Sequence, residues 1–234
     1  MNERTWRPLA ARDRRVVGVL VEKAKTVPDT YPMSLAALVS GCNQKNNRYP
    51  LMELEADNVE ESLDRLKQVG AVVEVQSSSR VARFKHLLYE WLGVDKVELA
   101  VMAELLLRGA QTEGELRGRA SRMEPIADVA ALRPVLDSLK QKGLLVSLTS
   151  EGRGHVLTHA LYEDRELEKL RAEYQGQAAR LIEDDHDRPP APSRPTSPAT
   201  NLMGLAELRA ELAELRDELS KLRDQFDSLA ASLR

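Results

Sequence analysis

Leu63-Asp64-Arg65-Leu66-Lys67-Gln68-Val69-Gly70 returns 73 residues later as Leu136-Asp137-Ser138-Leu139-Lys140-Gln141-Lys142-Gly143. The match runs on without a gap to Glu90 and Glu163. It takes in Val73/Val146, Ser77/Ser150, Arg80/Arg153, His86/His159, Leu88/Leu161 and Tyr89/Tyr162. Thirteen of the 28 aligned positions are identical, where average residue usage gives about two by chance. The chain therefore holds two copies of one unit, and the shape of that unit decides the fold.

Val59, Leu63 and Leu66, like Val135, Leu136 and Leu139, recur at helical spacing. Each run ends in a lysine-bearing turn and a glycine, Gly70 or Gly143, which suits the negative end of the helix dipole and a left-handed cap. A short β-rich run follows (71–75; 144–148), then a polar tip (77–80; 150–154) and a second strand (81–88; 155–161). That pattern predicts a helix feeding a β-hairpin. Upstream of the first, Val16, Val17, Leu20 and Val21 mark an amphipathic helix over about 9–25, and Ser34 caps a shorter one carrying Leu35, Leu38 and Val39. Upstream of the second, Val97 to Leu107 form one helix, and Thr112 with Glu115 is a capping box opening the next. Three helices and a hairpin make a winged-helix unit. Pro134 is expected in the first turn of its helix, or else to kink it.

The expected fold class is thus mainly α with small β-hairpins (α+β): two tandem winged-helix domains followed by a C-terminal coiled-coil helix. The boundaries read as a first winged-helix domain at 8–92, a second at 93–162, a charged helix at 163–187, a Pro-rich linker at 188–200 and a coiled coil at 201–234. The linker, Arg188-Pro189-Pro190-Ala191-Pro192-Ser193-Arg194-Pro195-Thr196-Ser197-Pro198, cannot bury a core. Beyond it Leu205, Leu208, Leu212, Leu215, Leu219, Leu222, Phe226 and Leu229 alternate three and four apart, a heptad seam. Glu211 and Glu218 fall at g and Arg216 and Arg223 at e, which complements a parallel partner and predicts a homo-oligomer.

One cysteine, Cys42, excludes an internal disulfide, and a buried apolar thiol is its expected state. No apolar run follows Met1, and nothing approaches a membrane span, so a cytoplasmic protein without a membrane partner is expected. The net charge of −3 is not the basic balance of a typical nucleic-acid domain, and residues 1–92 reach only +2. There is no phosphate loop, His-Glu-x-x-His, nucleophile elbow or paired-cysteine motif, so neither an enzyme nor a cofactor or metal site is expected. His86 and His159 are equivalent in the two copies, which points to a structural role. His155, four residues from His159, lacks the third ligand that a metal site needs.

The strings Pro28-Asp29-Thr30-Tyr31-Pro32-Met33-Ser34-Leu35, Gly41-Cys42-Asn43-Gln44-Lys45-Asn46-Asn47-Arg48-Tyr49-Pro50-Leu51-Met52 and Leu106-Leu107-Arg108-Gly109-Ala110-Gln111-Thr112-Glu113-Gly114-Glu115-Leu116-Arg117 resemble the YceH-type family of bacterial proteins. The similarity covers about 8–162, and Cys42-Asn43-Gln44-Lys45 is its most specific marker. Tyr49 stands where an acidic residue is expected before the proline, and the second wing is short. The resemblance implies the tandem winged-helix fold and a bacterial cytoplasmic setting; it carries no assigned activity.

Function therefore rests on the residues. Cationic candidates for nucleic-acid contact are Lys45 and Arg48 among amides, Arg80, Arg83 and Lys85 along the first wing, Arg117, Arg119 and Arg122 at a helix end, and Arg153 in the second wing. Against them, the third helix of the first copy opens with Glu55, Asp57, Glu60, Glu61 and Asp64, which suits a helix N-terminus but faces a polyanion poorly. The residues point to double-stranded DNA, contacted by wings and helix ends in a regulatory role, as the expected partner. The alternative is a protein partner, with the chain as an adaptor.

Overall fold

The computed structural model describes residues 6–75, 81–152 and 154–186. Arg80, Arg153, the linker and the heptad seam lie outside the described residues. The chain is mixed α/β, with helices dominating and two small antiparallel sheets.

In the first copy, α1 (Ala11–Thr26) leads through a short 3-10 turn at Pro28–Thr30 into β1 (Met33–Ser34) and α2 (Leu35–Cys42). After the loop come α3 (Ala56–Gln68), β2 (Val72–Val75), β3 (Arg83–His86) and a one-turn α4 (Leu88–Leu92). The second copy runs α5 (Lys96–Arg108), β4 (Gln111–Thr112), α6 (Glu113–Ala120), α7 (Val129–Gln141), β5 (Leu145–Ser147) and β6 (Val156–His159). The charged helix α8 (Asp164–His186) follows.

The expected caps form. Ser34 Oγ accepts the Ala37 amide at 3.3 Å, and Thr112 and Glu115 cap each other's backbone at 3.1 and 3.3 Å. Gly70 and Gly143 take φ of 75° and 69°, a region that side chains avoid. Pro134 instead lies in the second turn of α7, because Asp128 fixes the helix start by accepting the Ala131 amide at 2.8 Å. The carbonyl that Pro134 cannot serve is that of exposed Ala130, which water reaches.

The duplication extends to the hydrogen bonds. Ala71 and Leu144 donate to Leu66 and Leu139 at 2.9 Å, and Leu87 and Ala160 donate to Ala71 and Leu144 at 2.8 Å. Val72 pairs with His86 as Leu145 pairs with His159. Each hairpin also gains a strand that the sequence pattern does not announce. β1 sets Met33 against Phe84, and β4 sets Gln111 against Leu157, giving the orders β1-β3-β2 and β4-β6-β5. The second hairpin strands are shorter than expected, since Leu88 already opens α4.

The described residues up to 185 form one compact unit with a continuous apolar core. Its axis is α1 against α5. Residues 13–21 of α1 and 98–107 of α5 are all buried, so α1 is covered on every side rather than on one amphipathic face. The helices meet closely at Gly18, where an added Cβ would lie 3.0 Å from Leu107 Cδ2. The long loop after α2 docks on the same axis, with the Tyr49 amide donating to the Leu107 carbonyl at 2.9 Å. Among the described residues, no helix is long and apolar enough to cross a membrane.

Candidate functional site

The Cys42-Asn43-Gln44-Lys45 segment is mainly a loop closer. Asn43 stands in for a backbone strand: its Nδ2 donates to the Leu54 carbonyl and its Oδ1 accepts the Leu54 amide, both at 2.8 Å. Gln44 Oε1 accepts from Arg48 at 3.1 Å. Cys42 is buried, and burial pushes its thiol up to about 12, so it carries no nucleophile at neutral pH. Lys45 alone of the four turns to solvent.

Arg48, expected at a nucleic-acid surface, is instead internal. Its guanidinium makes a two-point pair with Glu22 at 2.6 and 3.1 Å and donates to the Gly41 carbonyl at 3.0 Å. A charge so committed is not available to a phosphate. The arginines of the second copy also have partners, although Arg122 stays exposed. Arg117 donates to the carbonyls of Ile126 (2.9 Å) and Ala127, fastening the loop before α7. Arg119 donates to Gln111 Oε1 at 2.7 Å and pairs with Glu115 at 3.4 Å. Arg122 bridges the copies, donating to Asn47 Oδ1 at 3.1 Å and pairing with buried Glu104 at 3.7 Å. Arg108 joins the same cluster through Glu104 at 3.0 Å and Asn47. Asn47 holds a left-handed backbone, φ 62°, to present that oxygen. Burial pushes the Glu104 carboxyl up, with the nearby arginines opposing the shift.

The first hairpin keeps part of its expected surface. Phe84 and His86 face inward while Arg83 and Lys85 share the other face. Arg83 is half-buried and donates to the Pro32 carbonyl at 2.8 Å; Lys85 is exposed. Lys45, Lys85 and Arg122 are thus the predicted cations that remain exposed among the described residues.

The exposed face of α3 is acidic. Glu55, Asp57, Glu60, Glu61 and Asp64 all face solvent. Glu61 and Asp64 have cationic neighbours in Arg65 (3.9 Å) and Lys67 (2.9 Å), whereas Glu55, Asp57 and Glu60 have no ion pair among the described residues. Arg65, itself exposed, also pairs with buried Asp13 at 2.8 Å. On α7 the exposed positions include Ala130, Ala131, Arg133, Pro134 and Asp137, a near-neutral surface.

The histidines are structural. His86 Nδ1 accepts the Leu88 amide at 3.4 Å, and His159 Nδ1 accepts the Leu161 amide at 3.2 Å, equivalent bonds in the two copies. His155 lies between Glu113 (2.8 Å) and Ser147 (3.1 Å). No group of three or more His, Cys, Asp or Glu placed to hold a metal occurs among the described residues.

Sequence reasoning missed a cleft of about 280 Å³ bounded by α1, the loop at Tyr49–Met52, the end of α5 and α8. Its parts come from four distant segments and share no local motif. Arg14 closes one side, pairing with Glu166 at 2.8 and 3.0 Å and lying 4.5 Å over the Tyr162 ring.

Residues 9–153 match the model of a family described as "Protein of unknown function, DUF480". A UPF0502 protein of Rhodopirellula baltica is 53% identical over 160 residues, 68% of each chain. One from Geobacter sulfurreducens is 48% identical over 128 residues, 55% of this chain and 58% of that protein. One from Polaromonas is 50% identical over 139 residues, 59% of this chain and 58% of that protein. The chain thus spans less than two thirds of the length of the latter two. The matched region covers α1 to β5, the Asn43 loop clamp and the Glu104 cluster, and the chain belongs to the DUF480 (UPF0502) family of bacterial proteins.

Proposed function

We propose that the protein is a non-enzymatic tandem winged-helix adaptor of the bacterial cytoplasm, and that the first copy docks a basic protein surface on its third helix. The observation that carries this reading is the solvent-facing row Glu55, Asp57, Glu60, Glu61 and Asp64 on α3. In a DNA-reading winged helix the third helix enters the major groove and presents cationic and amide side chains there. Here that face would meet phosphates with like charge. Arg48, Arg117 and Arg119 do not offset it, being spent on internal partners. The coiled-coil reading of 201–234 belongs to the same proposal, since a self-associating tail multiplies weak docking contacts by effective concentration.

A second reading, DNA association in a regulatory role, is favoured by exposed Lys85 beside Arg83 on the wing strand and by Lys45. Such contacts are to the phosphate backbone and carry no sequence information. The two readings part on salt. Fluorescence anisotropy of the full chain against mixed duplex DNA is expected to show no saturable binding near physiological salt. Binding that weakens steeply with salt, with a slope that flattens by about 1 for each of Lys45→Ala and Lys85→Ala, would replace the adaptor reading by the DNA one. Light scattering with and without 201–234 tests the tail, whose removal is expected to lower the mass.

A further inference from the structure

Arg15 is the anomaly among the buried cations. Arg14 has Glu166, Arg48 has Glu22 and Arg108 has Glu104. Arg15 is 1% exposed yet has no carboxylate partner among the described residues. It donates only to two backbone carbonyls, Cys42 at 3.1 Å and Pro50 at 2.6 Å, and its Nε has no hydrogen-bond partner. Burying a guanidinium without a counter-charge is costly. Its near neighbour Arg48 makes matters worse by like charge.

Arg15 lines the cleft between α1, the Tyr49–Met52 loop, α5 and α8. The other walls supply what such a charge needs from a ligand site. Tyr49, Met52, Leu106, Tyr162, Leu170 and Tyr174 give flat and apolar surface. The volume, about 280 Å³, is at the small end of the roughly 300–1,000 Å³ range of ligand sites. Two carboxylates, Glu166 and Glu173, also border it, the first already paired with Arg14. Arg14 is taken up by Glu166 and Arg108 by Glu104, which leaves Arg15 as the lining arginine without a carboxylate partner among the described residues.

We propose that this cleft binds a small organic monoanion, a carboxylate on a flat apolar body, with Arg15 as the anchoring charge. One negative charge matches the unpaired guanidinium of Arg15; a dianion such as phosphate meets Glu166 and Glu173 and lacks the body that the tyrosines contact. Because α8 forms one wall and continues toward the C-terminal segment, an occupant also ties α8 to α1.

Isothermal titration calorimetry of the full chain tests this with benzoate, phenylacetate, benzyl alcohol and inorganic phosphate. Benzoate or phenylacetate is expected to saturate with Kd of roughly 10 μM to 1 mM, given so few atoms. Benzyl alcohol and phosphate are expected to bind at least about tenfold more weakly, and Arg15→Gln to weaken benzoate by roughly 10- to 100-fold. Leu170→Trp adds bulk from a half-exposed position on α8 and is expected to abolish binding with the circular dichroism and Tm retained. Should Arg15→Gln fail to fold, the carboxylate–alcohol comparison and Leu170→Trp still decide. No saturable heat with either carboxylate, equal affinity for benzyl alcohol, or undiminished binding in Leu170→Trp overturns the proposal.

Discussion

The twin histidines predict how the protein responds to acid. His86 and His159 each use Nδ1 as an acceptor for a main-chain amide two residues on, so each is held as the neutral ring. Burial pushes His86 down to about 4, with Lys85 and Lys25 adding to the shift, and pushes His159 well below its ordinary value, with Arg14 adding. The unfolded chain binds a proton on each ring at a pKa of about 6.5. Unfolding therefore takes up protons, and stability present above that pH is lost as pH falls toward the folded-state value. At about pH 5, some 1.5 pH units below the unfolded pKa, the loss is about 2 kcal/mol for His86, and His159 adds a loss of the same sign. Even the His86 share is a sizeable part of a typical stability of roughly 5–15 kcal/mol. Below about pH 4 the His86 contribution levels off, because the folded state then takes the same proton. Urea unfolding at about pH 7.5 and 5 measures the loss. His86→Asn and His159→Asn keep a neutral acceptor; the first is expected to remove about 2 kcal/mol of the pH sensitivity and the second a further part, both sparing stability at the higher pH. A double variant as acid-sensitive as the parent would refute the reasoning.

Two further outcomes follow from buried groups. Arg48→Met strands Glu22 and is expected to cost about 3–5 kcal/mol in urea unfolding, most of it regained in the double variant with Glu22→Met, since paired apolar groups replace a buried ion pair at little cost. Cys42, its thiol pushed up by burial to about 12, is expected to resist iodoacetamide at about pH 8 until the chain unfolds; rapid native-state labelling would contradict its placement.

Much of the local structure was legible because its causes are local. Ser34, Thr112 with Glu115, and the glycines at 70 and 143 act within one turn of helix, and all are found where the spacing sets them. The inward histidines and the outward Arg83 and Lys85 follow from strand alternation and the repeat. The third strand of each sheet was not legible, since two residues show no period; β1 and β4 exist because β3 and β6 offer a free edge. Nor could charge clusters reveal how they are spent. Arg48 sits 26 residues from Glu22, and Arg122 sits 75 from Asn47, distances that only the packed fold closes. The cleft around Arg15 escaped for the same reason.

The α1–α5 axis has a consequence in time. About 90 residues separate Gly18 from the Leu107 it touches. At a synthesis rate of roughly 5–20 residues per second, the nascent chain waits about 4–18 seconds between making the one helix and making the other. Through that interval the first copy, however complete its own sheet, carries a helix whose side at Gly18, toward Leu106 and Leu107, has nothing to cover it. A ribosome that stalls before Lys96 releases a product with an open apolar flank, a substrate for chaperones and proteases rather than half of a working molecule.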